Sequence, residues 1–203
     1  MKALYVTDRR ALGDAGFESL LSSLAGLPGL RVQLREPEIS DRESLSWAAR
    51  AREKLGPAVP LFVNRRFDVA LAAAADGVHL RADGPPLIRV RANTPRGFRI
   101  GVSTHSPREA EAAIAEGADL VVLGPIFDTP SKRAYGAPLG PGVLAELPRI
   151  ADHDAEVFAI GGIDESHLAE LDAYRDRISG VAAVRLFQES ADPRAAAERV
   201  VSR

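Results

Sequence analysis

The feature that most constrains this chain is a regular alternation of two patterns along its length. Short runs rich in β-branched residues are each followed by a longer segment with apolar residues at helical spacing. The predicted strands are 3–7, 30–34, 60–63, 77–80, 99–103, 120–126, 157–163 and 180–187. Eight strand-then-helix units predict an α/β protein, and they favour a single (β/α)8 TIM barrel over an open doubly wound sheet.

Helix signals fit the same layout. Ser40 or Asp41 can cap the second helix, Ser106 precedes Pro107 at the start of the fifth, and the last helix runs over 193–201. Segments 141–147 and 165–174 also read as helices, whereas prolines after strand four leave only 87–92 for one there. The pattern therefore predicts one helix after every strand.

Composition narrows the class of protein. With 203 residues, 46% of them hydrophobic and no linker-like stretch, the chain is expected to form one domain over 1–203. A net charge of −2 gives no reason to expect nucleic acid as a partner, and the absence of cysteine excludes thiolate chemistry and disulfides. No apolar run has the length of a membrane span. We therefore expect a cytoplasmic protein without a membrane partner; a homo-oligomer is allowed by the sequence.

The loops that follow the strands are rich in cations. In a TIM barrel these loops build the active site, and here they would gather at least six arginines and a lysine at one end. Lys132 is one of only three lysines among 26 basic residues, in the polar loop after the buried strand 120–126. A solvated loop charge is the alternative for Lys132. The loops together predict an anion pocket.

A glycine pair marks a second anion site. Gly161 and Gly162 end the seventh strand, where bare backbone N–H groups can approach a phosphate, and barrels commonly bind phosphate after strands seven and eight. A tight turn is the alternative explanation for the pair. Their position in the predicted barrel favours phosphate binding.

Eight sequence blocks, in order over nearly the whole chain, carry a family resemblance. They are LYVTDR, VQLRE, LFVNRRFDVAL, ADGVHL, IGVSTHS, LGPIFDTPSK, APLG and AIGGI. The chain resembles thiamine phosphate synthase and its relatives, which include the thiazole tautomerases. The resemblance implies that small phosphorylated heterocycles are the ligands, and that a pyrimidine methyl diphosphate loses pyrophosphate to leave a cation that a thiazole phosphate captures.

The resemblance also assigns roles to individual residues. It places the pyrimidine diphosphate against the block that begins at Gln33 and against Asn64 and Ser103, with Arg35, Lys132 and Ser103 as the groups closest to the chemistry. The thiazole phosphate would contact the remaining matched positions, which are Thr129, Ser131, Gly161, Gly162, Val184 and Arg185.

Several positions depart from the family pattern in one direction. Pro37 stands where a phosphate-reaching lysine is usual, Arg65 replaces a magnesium carboxylate, and Arg185 replaces a serine. Asp83 is then the remaining candidate metal ligand, displaced by one position from the usual pattern. Because magnesium prefers one or two carboxylates beside substrate phosphates, we expect a degraded Mg2+ site in which Arg65 also takes part in substrate binding.

Three functions stay open at this stage. They are a synthase with an eroded metal site, a family member that binds a thiazole phosphate or other monophosphate and catalyses a different reaction, and a non-catalytic ligand-binding or regulatory barrel. Gly124, Pro125 and Ile126 match the synthases where tautomerases carry a histidine, so the sequence disfavours a tautomerase. His79 is expected to pack inside the barrel, and His105 lies in a loop that could reach the pocket.

Overall fold

The chain closes into an eight-stranded parallel barrel. In the computed structural model, which describes residues 1–129 and 136–203, each strand pairs with the next one along the chain and the last pairs with the first. The strands are β1 (Lys2–Val6), β2 (Leu30–Leu34), β3 (Leu61–Asn64), β4 (Gly77–Leu80), β5 (Arg99–Thr104), β6 (Leu120–Leu123), β7 (Glu156–Ile160) and β8 (Gly180–Ala183). The predicted (β/α)8 barrel is confirmed.

Helices cover the outside of the barrel. They are α1 (Arg9–Ser23), α2 (Asp41–Leu55), α3 (Phe67–Ala72), α4 (Leu87–Arg91), α5 (Pro107–Ala115), α6 (Leu168–Leu171), α7 (Arg185–Gln188) and α8 (Pro193–Val201), with 3-10 helices at Pro141–Glu146, Ile150–Asp152, Glu165–His167 and Asp172–Tyr174. Of the helices in the described ranges, none combines the length and apolar character needed to cross a bilayer.

Two predicted helix starts are confirmed in atomic detail. Ser40 forms a capping box with Glu43, and the Ser106 hydroxyl accepts a hydrogen bond from the Glu109 N–H at 3.2 Å, with Pro107 as the first helical residue. These side chains satisfy N–H groups that a helix leaves without intrahelical partners. Local chemistry therefore fixes where α2 and α5 begin.

Three predicted strands are too long. β6 ends at Leu123 because Gly124 is followed by Pro125, which has no N–H to donate to a neighbouring strand. β7 ends at Ile160 because Gly161 and Gly162 have φ values of 102° and 65°, far from extended backbone. β8 ends at Ala183, since residue 184 turns into a helical conformation and α7 follows. Beyond these ends, Ile126, Ile163, Leu186 and Phe187 are buried without being in strands.

The regions predicted to be helical after β6 and β7 are also less regular than expected. The first is a 3-10 helix at Pro141–Glu146, and the second is divided into two 3-10 turns around the four-residue α6. These short helical segments mean that β6 and β7 are each followed by less regular helix than the sequence predicted, in keeping with the short chain.

The apolar core has two parts. A smaller cluster fills the barrel itself and consists of Leu4, Val6, Phe62, Leu120, Val122, Phe158 and Ala182. A larger cluster lies between the barrel and its helices. Since the interior is filled by side chains, the barrel has a packed centre and a ligand can be bound only at its ends.

At the amino-terminal end of the strands the interior is closed by charged residues that we call the basal cluster: Lys2, Arg31 and Glu156. The Glu156 carboxylate accepts two bonds from the Arg31 guanidinium, at 2.6 and 2.7 Å, and one from Lys2 Nζ at 2.7 Å. The three residues come from β1, β2 and β7, so the cluster spans the barrel. Burial alone would raise the pKa of Glu156, but its bonds to Arg31 and Lys2 hold that pKa below its ordinary value.

Candidate active site

Two hydrogen-bonded side-chain pairs line the floor of the barrel mouth, at the carboxyl ends of β2 to β5. Gln33 Nε2 donates to Asn64 Oδ1 at 3.3 Å, and His79 Nε2 lies 2.8 Å from Ser103 Oγ. The strand register places Asn64 beside His79, which brings the two pairs together. We call these the floor pairs. They offer amide, imidazole and hydroxyl groups to a ligand.

Among the described residues, the inward-facing side chains on the opposite half of the mouth are apolar. At the corresponding ends of β6, β7, β8 and β1 the chain supplies Val122, Ile160, Val184 and Val6, all of which pack on the barrel interior. A heterocycle with one polar edge fits such a divided pocket, because its hydrogen-bonding atoms meet one wall and its ring carbons meet the other.

Two arginines stand beside the polar half. Arg35 follows β2 and Arg65 follows β3, and both are exposed. Within residues 1–129 and 136–203 no carboxylate lies within salt-bridge distance of either guanidinium. Arg35 also lines a groove of about 440 Å³ with Asp8, Arg10, Pro37 and Glu38. The polar half of the mouth therefore carries positive charge available to an anion.

Arg65 has an unusual backbone conformation. Its φ is +68°, in the left-handed region that residues with a side chain rarely adopt. The Arg66 N–H donates to the Asn64 carbonyl at 2.9 Å, which closes a three-residue turn around Arg65, and the Arg65 N–H donates to the His79 carbonyl at 2.8 Å. These bonds anchor the strained residue to β4 at the rim of the mouth.

His79 is buried, with 2% of its surface exposed, as the sequence predicted for a packing residue. Burial, reinforced by the nearby charge of Arg35, lowers the pKa of His79 to about 4. The imidazole is therefore neutral at physiological pH. Its contact with Ser103 was not predicted.

The glycine pair after β7 has a structural reason in addition to any role with phosphate. A Cβ on Gly161 would lie 2.6 Å from the Pro125 side chain, and one on Gly162 would lie 2.4 Å from the Asp128 carbonyl oxygen. The Phe127 N–H also donates to the Gly161 carbonyl at 2.9 Å. The loop after β6 is thus packed directly on the loop after β7, and only glycines permit this approach.

The predicted residues at the end of β8 lie close by. Val184 precedes α7 and Arg185 is its first residue. Arg185 is exposed and lines a shallow groove of about 370 Å³ together with Asp164, Glu165, Ser166 and Glu189. Thr129 is half-buried on the β6 loop, whereas Ser131 and Lys132 lie outside the described residues. The common cavity predicted for Lys132 and Arg35 therefore stays a prediction.

Comparison with known proteins decides the family. Residues 3–187 match the family described as "Thiamine monophosphate synthase". The chain belongs to this family. It is 39% identical to a thiamine-phosphate synthase of Methanoculleus marisnigri, over 98% of this chain and 94% of the relative. A thiamine-phosphate synthase of Gloeobacter violaceus is 42% identical over 83% of this chain, which corresponds to only 48% of that longer relative.

A solved structure agrees with the family assignment. The thiamine phosphate pyrophosphorylase from Pyrococcus furiosus superposes with a TM-score of 0.81 and 29% sequence identity, and the match covers 99% of this chain and 94% of that one. Membership in the thiamine monophosphate synthase family thus extends from sequence to the three-dimensional arrangement of the barrel.

The side chains described at the mouth do not fit the magnesium ion implied by the family resemblance. Asp83 is exposed, and its two carboxylate oxygens accept bonds from Arg81 Nε at 2.7 Å and Nη2 at 2.8 Å. Those bonds, with a further contribution from the charge of Arg65, lower the pKa of Asp83. Among the described residues no group of three or more His, Cys, Asp or Glu side chains could hold a metal ion. The carboxylate of Asp83, the candidate metal ligand, is therefore already paired with the guanidinium of Arg81.

A buried hydrogen-bond network that was not predicted from the sequence lies beneath Arg35. Glu36 accepts bonds from the Thr7 hydroxyl at 2.5 Å and from the Arg9 N–H at 3.1 Å, and the same hydroxyl accepts from the Arg35 N–H at 2.9 Å. Burial raises the pKa of Glu36, although the bonds from Thr7 and Arg9 oppose the rise. This network fixes the backbone of Arg35 against β1. A glutamate directly after an arginine at a strand end was the available signal.

Proposed function

We propose that this chain is a thiamine-phosphate synthase-like enzyme that joins a pyrimidine methyl diphosphate to a thiazole phosphate and releases pyrophosphate. The observation that carries the proposal is the position of two unneutralised arginines, Arg35 and Arg65, beside the floor pairs. A neutral hydrogen-bonding floor suits a pyrimidine ring, and adjacent cations suit its diphosphate. Family membership supports the same assignment.

The proposed reaction breaks one bond and forms another. The carbon–oxygen bond between the pyrimidine methylene and the diphosphate breaks, and its electron pair leaves with pyrophosphate. The thiazole nitrogen then donates its lone pair to the methylene carbon. Arg35 stabilises the charge that builds up on the leaving oxygens, with Lys132 as a second cation by family resemblance. The apolar half of the mouth keeps water from the intermediate cation.

Arginine side chains supply the counter-charge in this proposal. Arg65 stands where the family pattern has a carboxylate, and the guanidinium of Arg81 holds Asp83. A cation at Arg65 repels a divalent metal ion and attracts phosphate oxygens. We therefore expect diphosphate binding to be insensitive to magnesium.

A second candidate function is binding of a phosphorylated heterocycle without synthase activity. The Arg81–Asp83 pair favours it, because a guanidinium cannot bridge and polarise a diphosphate as a metal ion does. Pyrophosphate release distinguishes the two candidates. The chain should release pyrophosphate only when both substrates are present, in magnesium and in EDTA alike. Absence of release with both substrates, together with tight binding of the thiazole phosphate alone, would favour the second candidate.

Calorimetry tests the role of arginine without relying on turnover. The pyrimidine methyl diphosphate should bind with the same affinity with and without magnesium. Arg65→Asp should weaken that binding, since it replaces an attractive charge by a repulsive one. Arg65→Asp combined with Arg81→Gln removes the clamp on Asp83 and leaves two carboxylates, so this variant should gain magnesium-dependent binding. A side chain at Gly84 is less suitable as a third ligand, because its Cβ would lie 2.9 Å from the Arg81 carbonyl oxygen.

A further inference from the structure

We propose that His79 and Gly101 are positioning residues for Ser103. The imidazole of His79, which occupies space left by the missing side chain of Gly101, holds the Ser103 hydroxyl in the orientation in which it meets the ligand on the pocket floor. The identity of that ligand rests on the function proposed above. The contact between the three residues rests on the geometry alone.

The imidazole ring has a hydrogen-bond partner on one side and the space beside Gly101 on the other. Its Nε2 lies 2.8 Å from Ser103 Oγ, and its Nδ1 would lie only 2.6 Å from a Cβ placed on Gly101. His79 and Gly101 are direct neighbours in the register of β4 and β5, and Ser103 follows two residues later on the same face of β5. The hydrogen bond at Nε2 and the space beside Gly101 together favour this ring orientation, in which the imidazole contacts the Ser103 hydroxyl.

The charge state of the imidazole determines what the hydroxyl can still do. A neutral ring can either donate or accept at Nε2, and the serine hydroxyl has one proton and two lone pairs. The contact therefore uses one part of the hydroxyl's hydrogen-bonding capacity and leaves the rest for a ligand. Burial and the charge of Arg35 keep His79 neutral. The Ser103 hydroxyl is thus oriented by His79 and can still form a hydrogen bond to a ligand.

Simple packing does not account for a histidine at this position. Phe62 and Phe158 fill the neighbouring interior with apolar rings that carry no desolvation penalty. An imidazole at the same depth is unfavourable unless its nitrogens are used. Its contact with Ser103, a residue that the family resemblance assigns to the pyrimidine, gives the ring such a use.

The test measures binding of two ligands to a set of variants. His79→Phe keeps the ring and removes the nitrogens, whereas His79→Gln keeps a polar group that can reach Ser103. Loss of one hydrogen bond predicts that His79→Phe weakens binding of the pyrimidine methyl diphosphate by about five- to ten-fold, and that His79→Gln recovers most of the loss. Binding of the thiazole phosphate should change by less than about two-fold.

Double variants separate positioning from structural damage. Ser103→Ala added to His79→Phe should weaken pyrimidine diphosphate binding no further, because the two residues act as one unit. Gly101→Ala should weaken binding in the wild-type background and have a much smaller effect in a His79→Ala background, where no ring is displaced and only the contact with Leu120 Cδ2 at 3.3 Å remains. Thermal unfolding of each variant identifies any that fail to fold, and His79→Gln remains as the milder substitution.

Three results would overturn the proposal. These are wild-type affinity in His79→Phe, equal losses for both ligands, and additive losses for His79→Phe and Ser103→Ala. If the wild type binds no pyrimidine diphosphate, the proposed function fails, and the contact is then judged by nuclear magnetic resonance. The 15N shift of His79 Nε2 should move in Ser103→Ala and in Gly101→Ala. An unchanged shift in both variants would exclude the contact itself.

Discussion

The two ends of the barrel interior hold charged and polar residues in opposite ways. At the amino-terminal end, Lys2, Arg31 and Glu156 form a closed set in which every bond from the carboxylate goes to a cation of the same cluster. At the carboxyl end, the floor pairs are neutral and the nearby Arg35 and Arg65 have no carboxylate partner within the described ranges. The charged groups at the amino-terminal end are paired with one another, whereas the arginines at the carboxyl end can bind an anionic ligand.

This difference shows how one architecture separates stability from function. The basal cluster lies on strands that also lead to the mouth, since β2 carries Arg31 and Arg35 directly follows its carboxyl end. From the base to the mouth, Arg31 forms an ion pair, Gln33 forms a hydrogen bond, and Arg35 is an exposed cation. Substitutions at the base should therefore reduce stability, and substitutions at the mouth should reduce binding.

The largest expected effect comes from opening the basal cluster. Glu156→Gln should lower the free energy of unfolding by about 3 kcal/mol, because it leaves Arg31 and Lys2 close together without their counter-charge. Ligand affinity of the folded variant should stay unchanged. Glu165→Gln is the matched control, since it removes an exposed ion pair with Arg199 that should contribute less than about 1 kcal/mol. Equal losses in urea unfolding for both variants would contradict the contrast between base and surface.

The free energy of unfolding should depend on pH through the buried His79 at the mouth. The pKa of His79 is about 4 in the folded chain, below the ordinary 6.5, so the unfolded chain takes up the proton first as the pH falls. The stability associated with a neutral His79 is present above about pH 6.5 and is lost as the pH falls through about 4, by up to about 3 kcal/mol. His79→Gln should flatten this dependence in urea unfolding measured across the same window. Parallel curves for the two proteins would show that His79 is not the group responsible.

At the mouth, removal of one cation should affect ligand binding and leave stability intact. Arg35→Met should weaken binding of the pyrimidine methyl diphosphate by about ten- to thirty-fold, the loss expected for a charge-assisted contact. Arg96→Met removes the same charge from an exposed loop that leads into β5, away from the mouth, and should change the affinity by less than about two-fold. Calorimetry at two salt concentrations checks both. A similar loss in the two variants would indicate a general effect of net charge.

The smallest expected effect distinguishes the two cations of the base. Lys2 is 40% exposed and Arg31 is 11% exposed at the side chain, and only Arg31 binds Glu156 through two nitrogens. Lys2→Met should therefore lower the free energy of unfolding by less than about 1 kcal/mol. Arg31→Met should have a clearly larger effect. The reverse order in urea unfolding would mean that the bidentate bond is not the dominant contact.

The fold could be predicted from the sequence because its signals are local and repeated. Each strand and each helix cap can be recognised from a few consecutive residues, as Ser106 and Pro107 show for the start of α5. Strand ends were less predictable, because the apolar residues after β6, β7 and β8 stay buried while the backbone leaves the sheet. β7 ends where Gly161 and Gly162 leave the extended conformation and the loop after β6 approaches them closely; the sequence shows the glycine pair but does not show this tertiary contact.

The site could be predicted at the level of strands and less well at the level of side chains. Gln33, Asn64 and Ser103 come together because parallel strands end at one edge, which sequence order reveals. The bond between His79 and Ser103 depends on rotamers and on space beside Gly101, which no spacing rule provides. The ion pair between Arg81 and Asp83 could have been predicted from the sequence, since Arg81 lies only two residues before Asp83.

The filled interior of the barrel has a kinetic consequence. With Phe62 and Phe158 beneath the floor pairs and the basal cluster behind them, the described residues close the interior below the floor, so a ligand reaches the floor from the carboxyl ends of the strands. A ligand that rests on the floor must arrive before any molecule that covers it and must depart after that molecule. Two-substrate turnover in such a pocket should follow a compulsory order, with the deeper substrate first, and initial-rate patterns should reveal that order.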